Sequence, residues 1–133
     1  MPVEHEIDEA RNLVKARIQG PIDPDGLIEY LTSLEQDARL RPGYRAWFDL
    51  SEADPGDLGA GFVRRAADVA QRFDERAGGI RIAVLAPGDL VFGLARMYSM
   101  MVDTLQREVR VFRDAAEARA WLCVAEPEDG RAA

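Results

Sequence analysis

Residues Ile80 to Leu105 open with the apolar run Ile80-Arg81-Ile82-Ala83-Val84-Leu85-Ala86, turn at Pro87-Gly88-Asp89, and continue with Leu90, Leu94, Met97, Met101 and Leu105 at helical spacing. The run has the length of a buried strand and the following stretch has the period of an amphipathic helix, with Asp89 expected to cap it. Strand, turn and helix make half of a βαβ unit. A chain built on that unit is an α/β domain, and the rest of the sequence repeats the logic.

Val3 to Ile7 reads as an edge strand and Leu13 to Ile18 as a half-buried strand, joined closely enough for an antiparallel hairpin. Gly20-Pro21-Ile22-Asp23-Pro24 stops that strand and opens a helix, with Asp23 at the N-cap and Pro24 at the first helical position, where its missing N–H costs nothing. Leu27, Leu31, Leu34 and Ala38 form the expected buried stripe. After Arg41-Pro42-Gly43, Tyr44 to Leu50 reads as a third strand, Ser51 to Asp57 as an acidic loop, and Leu58 to Arg76 as a helix lined by Phe62, Ala66, Val69 and Phe73. Ala77-Gly78-Gly79 closes that helix. Val109 to Phe112 is the fifth strand, and Asp114 caps a last helix carrying Ala115, Ala118, Trp121 and Leu122. Residues 1–123 are expected to form one domain. Residues 124–133, acidic and broken by Pro127 and Gly130, are expected to fray as a tail.

This order predicts a five-stranded mixed sheet, the first strand antiparallel and the rest parallel, with four helices mainly on one face, because right-handed crossovers in one direction place their helices on one side. The strands divide accordingly. Val14, Ala16, Ile18, Ala46, Phe48, Leu50, Ile82, Val84, Val109 and Val111 make an apolar set, whereas Lys15, Arg17, Arg45, Trp47, Asp49, Arg81, Arg110 and Phe112 make a mixed one. A parallel sheet covered on both sides reads as continuous apolar runs, so the mixed face is expected to stay open.

Composition removes several function classes. A net charge of -7 opposes a nucleic-acid backbone as partner, since that affinity comes from clustered positive charge. One cysteine, Cys123, cannot form an internal disulfide, and with one histidine, His5, no structural zinc set is available; no cofactor is expected. The N-terminus has no signal-peptide pattern and no apolar run is long enough to insert in a membrane, which points to a cytoplasmic setting. Sixteen of the seventeen basic residues are arginine, which leaves Lys15, in a predicted strand, as the one lysine for Schiff-base or phosphate chemistry. No serine or threonine has a histidine placed to suggest a triad, and Cys123 reads as helix packing.

With these elements in order, the chain resembles the SpoIIAA-like, or STAS-like, domains of bacteria, related to anti-sigma-factor antagonists. The most specific segments are Val84-Leu85-Ala86-Pro87-Gly88-Asp89 with Phe92-Gly93-Leu94-Ala95-Arg96-Met97, and Val111-Phe112-Arg113-Asp114 with Ala118 and Trp121-Leu122. The resemblance implies a SpoIIAA-like fold and a regulatory, protein-binding role. In the antagonists a helix start reading Asp-Ser-Ser-Gly-Leu-Gly carries the phosphorylated serine. The matching stretch here, Asp54-Pro55-Gly56-Asp57-Leu58-Gly59, lacks both hydroxyls. Asp57 either mimics a fixed charge there or simply caps the helix.

Two sites follow from this reading. Trp47, Arg45, Arg81, Arg110 and Phe112 on the open face, with Phe92 and Met100 on the flank of the helix after Asp89, form a candidate interface for a protein partner or a second copy, because aromatics among arginines mark interface centres. Asp54, Asp57 and Asp89 lie at the carboxyl ends of strands, the usual ligand edge of open α/β sheets, where the acidic stretch 51–57 is a candidate for a hard cation. Related STAS and Sec14-type folds imply a small ligand, apolar or nucleotide, as the alternative function, with Phe92 beside that edge. Catalysis is the third reading.

Overall fold

A computed structural model describes residues 2–124. Its strands are β1 (Val3–Asp8), β2 (Leu13–Pro21), β3 (Arg45–Asp54), β4 (Ile80–Leu85) and β5 (Arg107–Phe112), and they pair in chain order into one sheet. β1 runs antiparallel to β2 and every later pair is parallel, as the hairpin and the crossovers predict. The β2–β3 ladder shifts between Arg17 and Gln19 and then continues to Pro21 opposite Asp54. Ser51 to Asp54, expected in a loop, are therefore strand: β2 runs past Ile18 and supplies a backbone partner.

The helices are α1 (Pro24–Glu35), α2 (Ala60–Arg72), α3 (Asp74–Ala77), α4 (Asp89–Met101) and α5 (Ala115–Leu122), one more than expected because a break at Phe73 splits off the short turn α3. α1 begins with Asp23 at the N-cap and Pro24 in its first turn, as the sequence predicts. It ends at Glu35, so Ala38 is exposed and Leu40 fills the core in its place. α2 is capped by Gly59, which leaves Asp57 and Leu58 ahead of the helix, and buries Val63, Ala66, Val69 and Ala70. Phe62 and Phe73 are half-buried. In α4 the cap is Gly88, and Asp89 is the first helical residue, ion-paired to Arg113 at 2.8 Å.

The buried side of α4 departs from the expected stripe. Val91 and Val102 are buried and Leu94, Ala95 and Tyr98 half-buried, whereas Leu90 is 55 %, Met100 59 % and Met101 38 % exposed. The physical reason is that α4 packs against α2 as well as β5. That wedge turns inward a residue set adjacent to the Leu and Met positions.

Under α1, α2 and α4 the expected apolar strand set forms the main core, with Val14, Ala46, Ile82 and Val84 buried. α5 departs from the one-sided arrangement. It packs across β4 and β5 on the other face, where Leu13, Ala83, Ala118 and Leu122 form a second core bordered by Trp47, Phe112 and Trp121. The crossover rule governs helices that join two parallel strands. α5 follows the last strand, so nothing ties it to the side of the others. Asp114 caps it as expected, accepting from the Glu117 N–H at 3.0 Å. Cys123, expected to pack, ends the helix in left-handed conformation and is exposed. Apart from Val124, the expected tail lies outside the described residues.

Candidate ligand cavity

Between the three-helix layer and the sheet lies a cavity of about 140 Å³. Leu27 of α1, Ala66 of α2 and Leu94 of α4 contribute to its helical wall, and Ile18, Phe48 and Val84 to its floor. These positions are apolar because the helices alternate a buried and a solvated side and the strands point every second residue inward.

The wall also carries Glu35, Tyr44, Tyr98 and Arg107. Arg107 opens β5 on the side shared by Val109 and Val111, so strand alternation drives its side chain toward the core. Its Nη1 donates to Glu35 Oε2 at 2.8 Å and Nη2 to Oε1 at 3.4 Å, with side-chain exposures of 1 % and 10 %. Burial pulls the Arg107 pKa down, but the hydrogen bond to Glu35 and the neighbouring Tyr98, Glu35 and Tyr44 more than offset it, so the guanidinium stays charged. Arg107 Nε, also buried, has no partner among the described residues.

Tyr44 and Tyr98 are pushed well up by burial. Tyr30, whose hydroxyl lies 2.8 Å from His5 Nδ1, is raised to about 12 by burial and by Asp37. These are the three tyrosines of the chain. Each favours its neutral form in the fold, so the stability they contribute is complete below the unfolded pKa of about 10. It is lost as pH rises through the higher folded values. In an alkaline titration followed by tyrosinate absorbance, no tyrosine is expected to ionise at the ordinary value while the fold persists. A phase near pH 10 with circular dichroism unchanged would contradict this placement.

The candidate interface residues surround α5. Arg45 Nη1 donates to the carbonyls of Leu122 and Cys123 at 3.0 and 2.8 Å. Arg81 stacks on Trp121 at 4.2 Å, Arg110 approaches the same ring at 5.7 Å, and Phe112 meets it at 5.8 Å between centroids. Trp47 is half-buried beside Arg119, in a groove of about 570 Å³ whose wall balances Lys15, Arg17 and Arg119 against Glu4, Glu6 and Asp49. Phe92 lies under Arg113 at 4.1 Å on the other side of the sheet, and Met100 projects outward from α4. The ligand-edge aspartates act locally. Asp54 accepts from the Gly56 N–H at 3.0 Å, and Asp89 holds Arg113. Among the described residues no three His, Cys, Asp or Glu side chains gather as a metal site.

Sequence reading missed Glu35, Tyr44, Tyr98 and Arg107 as a group. The available signal was Arg107, two residues ahead of Val109 on the apolar side of a strand.

No family model and no curated protein matches the chain. Among solved structures, an uncharacterised protein of the DUF3478 family from Shewanella loihica PV-4, described as having a SpoIIAA-like fold, is similar at 18 % identity. The match covers 91 % of this chain and 94 % of that one, with a TM-score of 0.57. The likeness shows the fold, which is SpoIIAA-like. No helix among the described residues is long and apolar enough to cross a membrane.

Proposed function

From the SpoIIAA-like fold as premise, we propose that this chain acts by binding, and that its ligand is a small, largely apolar molecule held between the helix layer and the sheet. The observation that carries the reading is the apolar cavity of about 140 Å³. A dry, apolar cavity of ~150 Å³ takes up benzene in another protein, which sets the scale for a monocyclic ligand. The charged groups on the wall are paired with each other, which suits retention of a ligand more than attack on it. Benzene titrated into the wild type is expected to shift the methyl resonances of Val63, Val69 and Val91 and to raise the melting temperature. Ala66→Leu, which fills the cavity, should abolish both effects in a folded protein. Equal saturation of wild type and variant, or no response from either, would remove the reading.

A regulatory, protein-binding role has separate support. Among the described residues the exposed large apolar side chains, Leu90, Met100 and Met101, all belong to α4, and methionine-bearing surfaces adapt to partners. A second copy is the simplest partner. Wild type is then expected to gain mass with concentration in sedimentation and Met100→Glu to stay monomeric; a concentration-independent monomer for both would exclude self-association through α4.

A further inference from the structure

The outward side of α4 follows a coiled-coil period. Leu90, Gly93, Met97 and Met100 stand three, four and three residues apart, and Thr104 continues the series. That spacing makes the seam along which two helices pack side by side. Leu90 is 55 % and Met100 59 % exposed, Gly93 and Thr104 are exposed, and Met97 is half-buried. A Cβ at Gly93 would meet nothing within 4 Å, so no other part of the chain covers the helix there. Past the C-cap Val102, the Asp103 N–H donates to the Met100 carbonyl at 3.5 Å, which keeps Asp103 and Thr104 close to the line of the helix.

The two flanks of this seam differ. One carries Arg96 and Asp103, seven residues apart and both exposed, whereas the other carries the apolar Met101. Neither Arg96 nor Asp103 belongs to an ion pair among the described residues. Arg96 has only the ring of Phe92 at 6.0 Å. In a parallel pair of α4 helices each flank faces the opposite flank of the other copy, so Arg96 would lie against Met101 and both charges would stay unmatched. In an antiparallel pair each flank faces its own kind. With Met97 of each copy seated on Met100 of the other, Arg96, one residue ahead of Met97, comes opposite Asp103, three residues past Met100. The two-fold axis repeats the contact, and Gly93 faces Thr104 in a small layer on either side.

We infer that α4 pairs with α4 of a second copy, antiparallel about a two-fold axis between Met97 and Met100, and that two reciprocal Arg96–Asp103 contacts fix the register. The stripe is self-complementary in charge only in this direction, which is why a second copy of the chain fits it. The inference rests on the reading of α4 as a protein-binding surface and adds the orientation and the residues that select the partner. An exposed Arg–Asp pair contributes little alone, but symmetry doubles it, and reversing one charge replaces attraction by repulsion at both ends.

The test is sedimentation equilibrium of the full chain at about 0.15 M salt, where distant charges are screened and contacting pairs dominate. Arg96→Asp and Asp103→Arg, each alone, place like charges at both contacts and are expected to weaken the dimer about tenfold or more. The double variant exchanges the two charges and is expected to return to within about threefold of the wild type. An equimolar mixture of the two single variants sets two acids on one copy against two bases on the other, so it should regain the dimer mass that each lacks alone. Both positions are exposed, and circular dichroism checks that every variant is folded. Single variants that dimerise like the wild type, or a double variant and a mixture that both stay monomeric, would overturn the inference; a monomeric Met100→Glu in the same series would then leave α4 as the interface in another register. A wild type that stays monomeric at every concentration would instead remove self-association through α4 and leave the stripe to a different occupant.

Discussion

Arg107→Ala is expected to destabilise the fold by about 3–5 kcal/mol, because it leaves Glu35 as an uncompensated charge in an apolar wall. Urea unfolding measures it, as a fall in midpoint with little change in slope. The companion double variant, Glu35→Leu with Arg107→Met, is expected to lose much less, since replacing both members of a buried pair by apolar groups removes two desolvation penalties along with one attraction. A single-variant loss under about 1 kcal/mol would mean that water reaches the pair, contrary to its near-complete burial. The cost identifies the ion pair as the polar clamp between the end of α1 and the start of β5, two elements far apart in the chain.

The second large effect lies on the opposite side of the sheet. Leu122, the last residue of α5, is fully buried between that helix and the sheet, and Leu122→Ala is expected to cost about 2–5 kcal/mol through lost transfer energy and the cavity left behind. Met100→Ala on the outer side of α4 is expected to stay within about 0.5 kcal/mol, because that side chain is already more than half in water. Measured together by the same unfolding transition, the two report which helical surface is core. If the methionine change cost more than the leucine change, α5 would not be packed on the sheet as described.

The sheet was readable from sequence because its signals are local and redundant. Alternation in β2 and β3, the short apolar run of β4 and the Pro-Gly-Asp turn each name an element, and the right-handed crossover rule joins them. What could not be read depends on neighbours. The inward side of α4 is set by the wedge between α2 and β5, so a correct helix came with Leu90 and Met101 assigned to the core when they face out. The open face was inferred from Arg45, Arg81 and Arg110, yet long arginines can also lie over a covering helix. Here Arg45 donates to the carbonyls at the end of α5, and the other two stack on Trp121. The cavity itself left almost no trace, because a void is a relation among side chains from seven elements, and the buried pair joins residues 72 positions apart.

The strands stand side by side in the order in which they occur along the chain. A growing polypeptide can therefore extend the sheet by adding each new strand to an edge already in place, and no strand has to be threaded between two formed neighbours. α5 follows β5 and closes the second side only after the two strands beneath it exist, so Trp47 and Phe112 remain uncovered until residues 115–122 have been made.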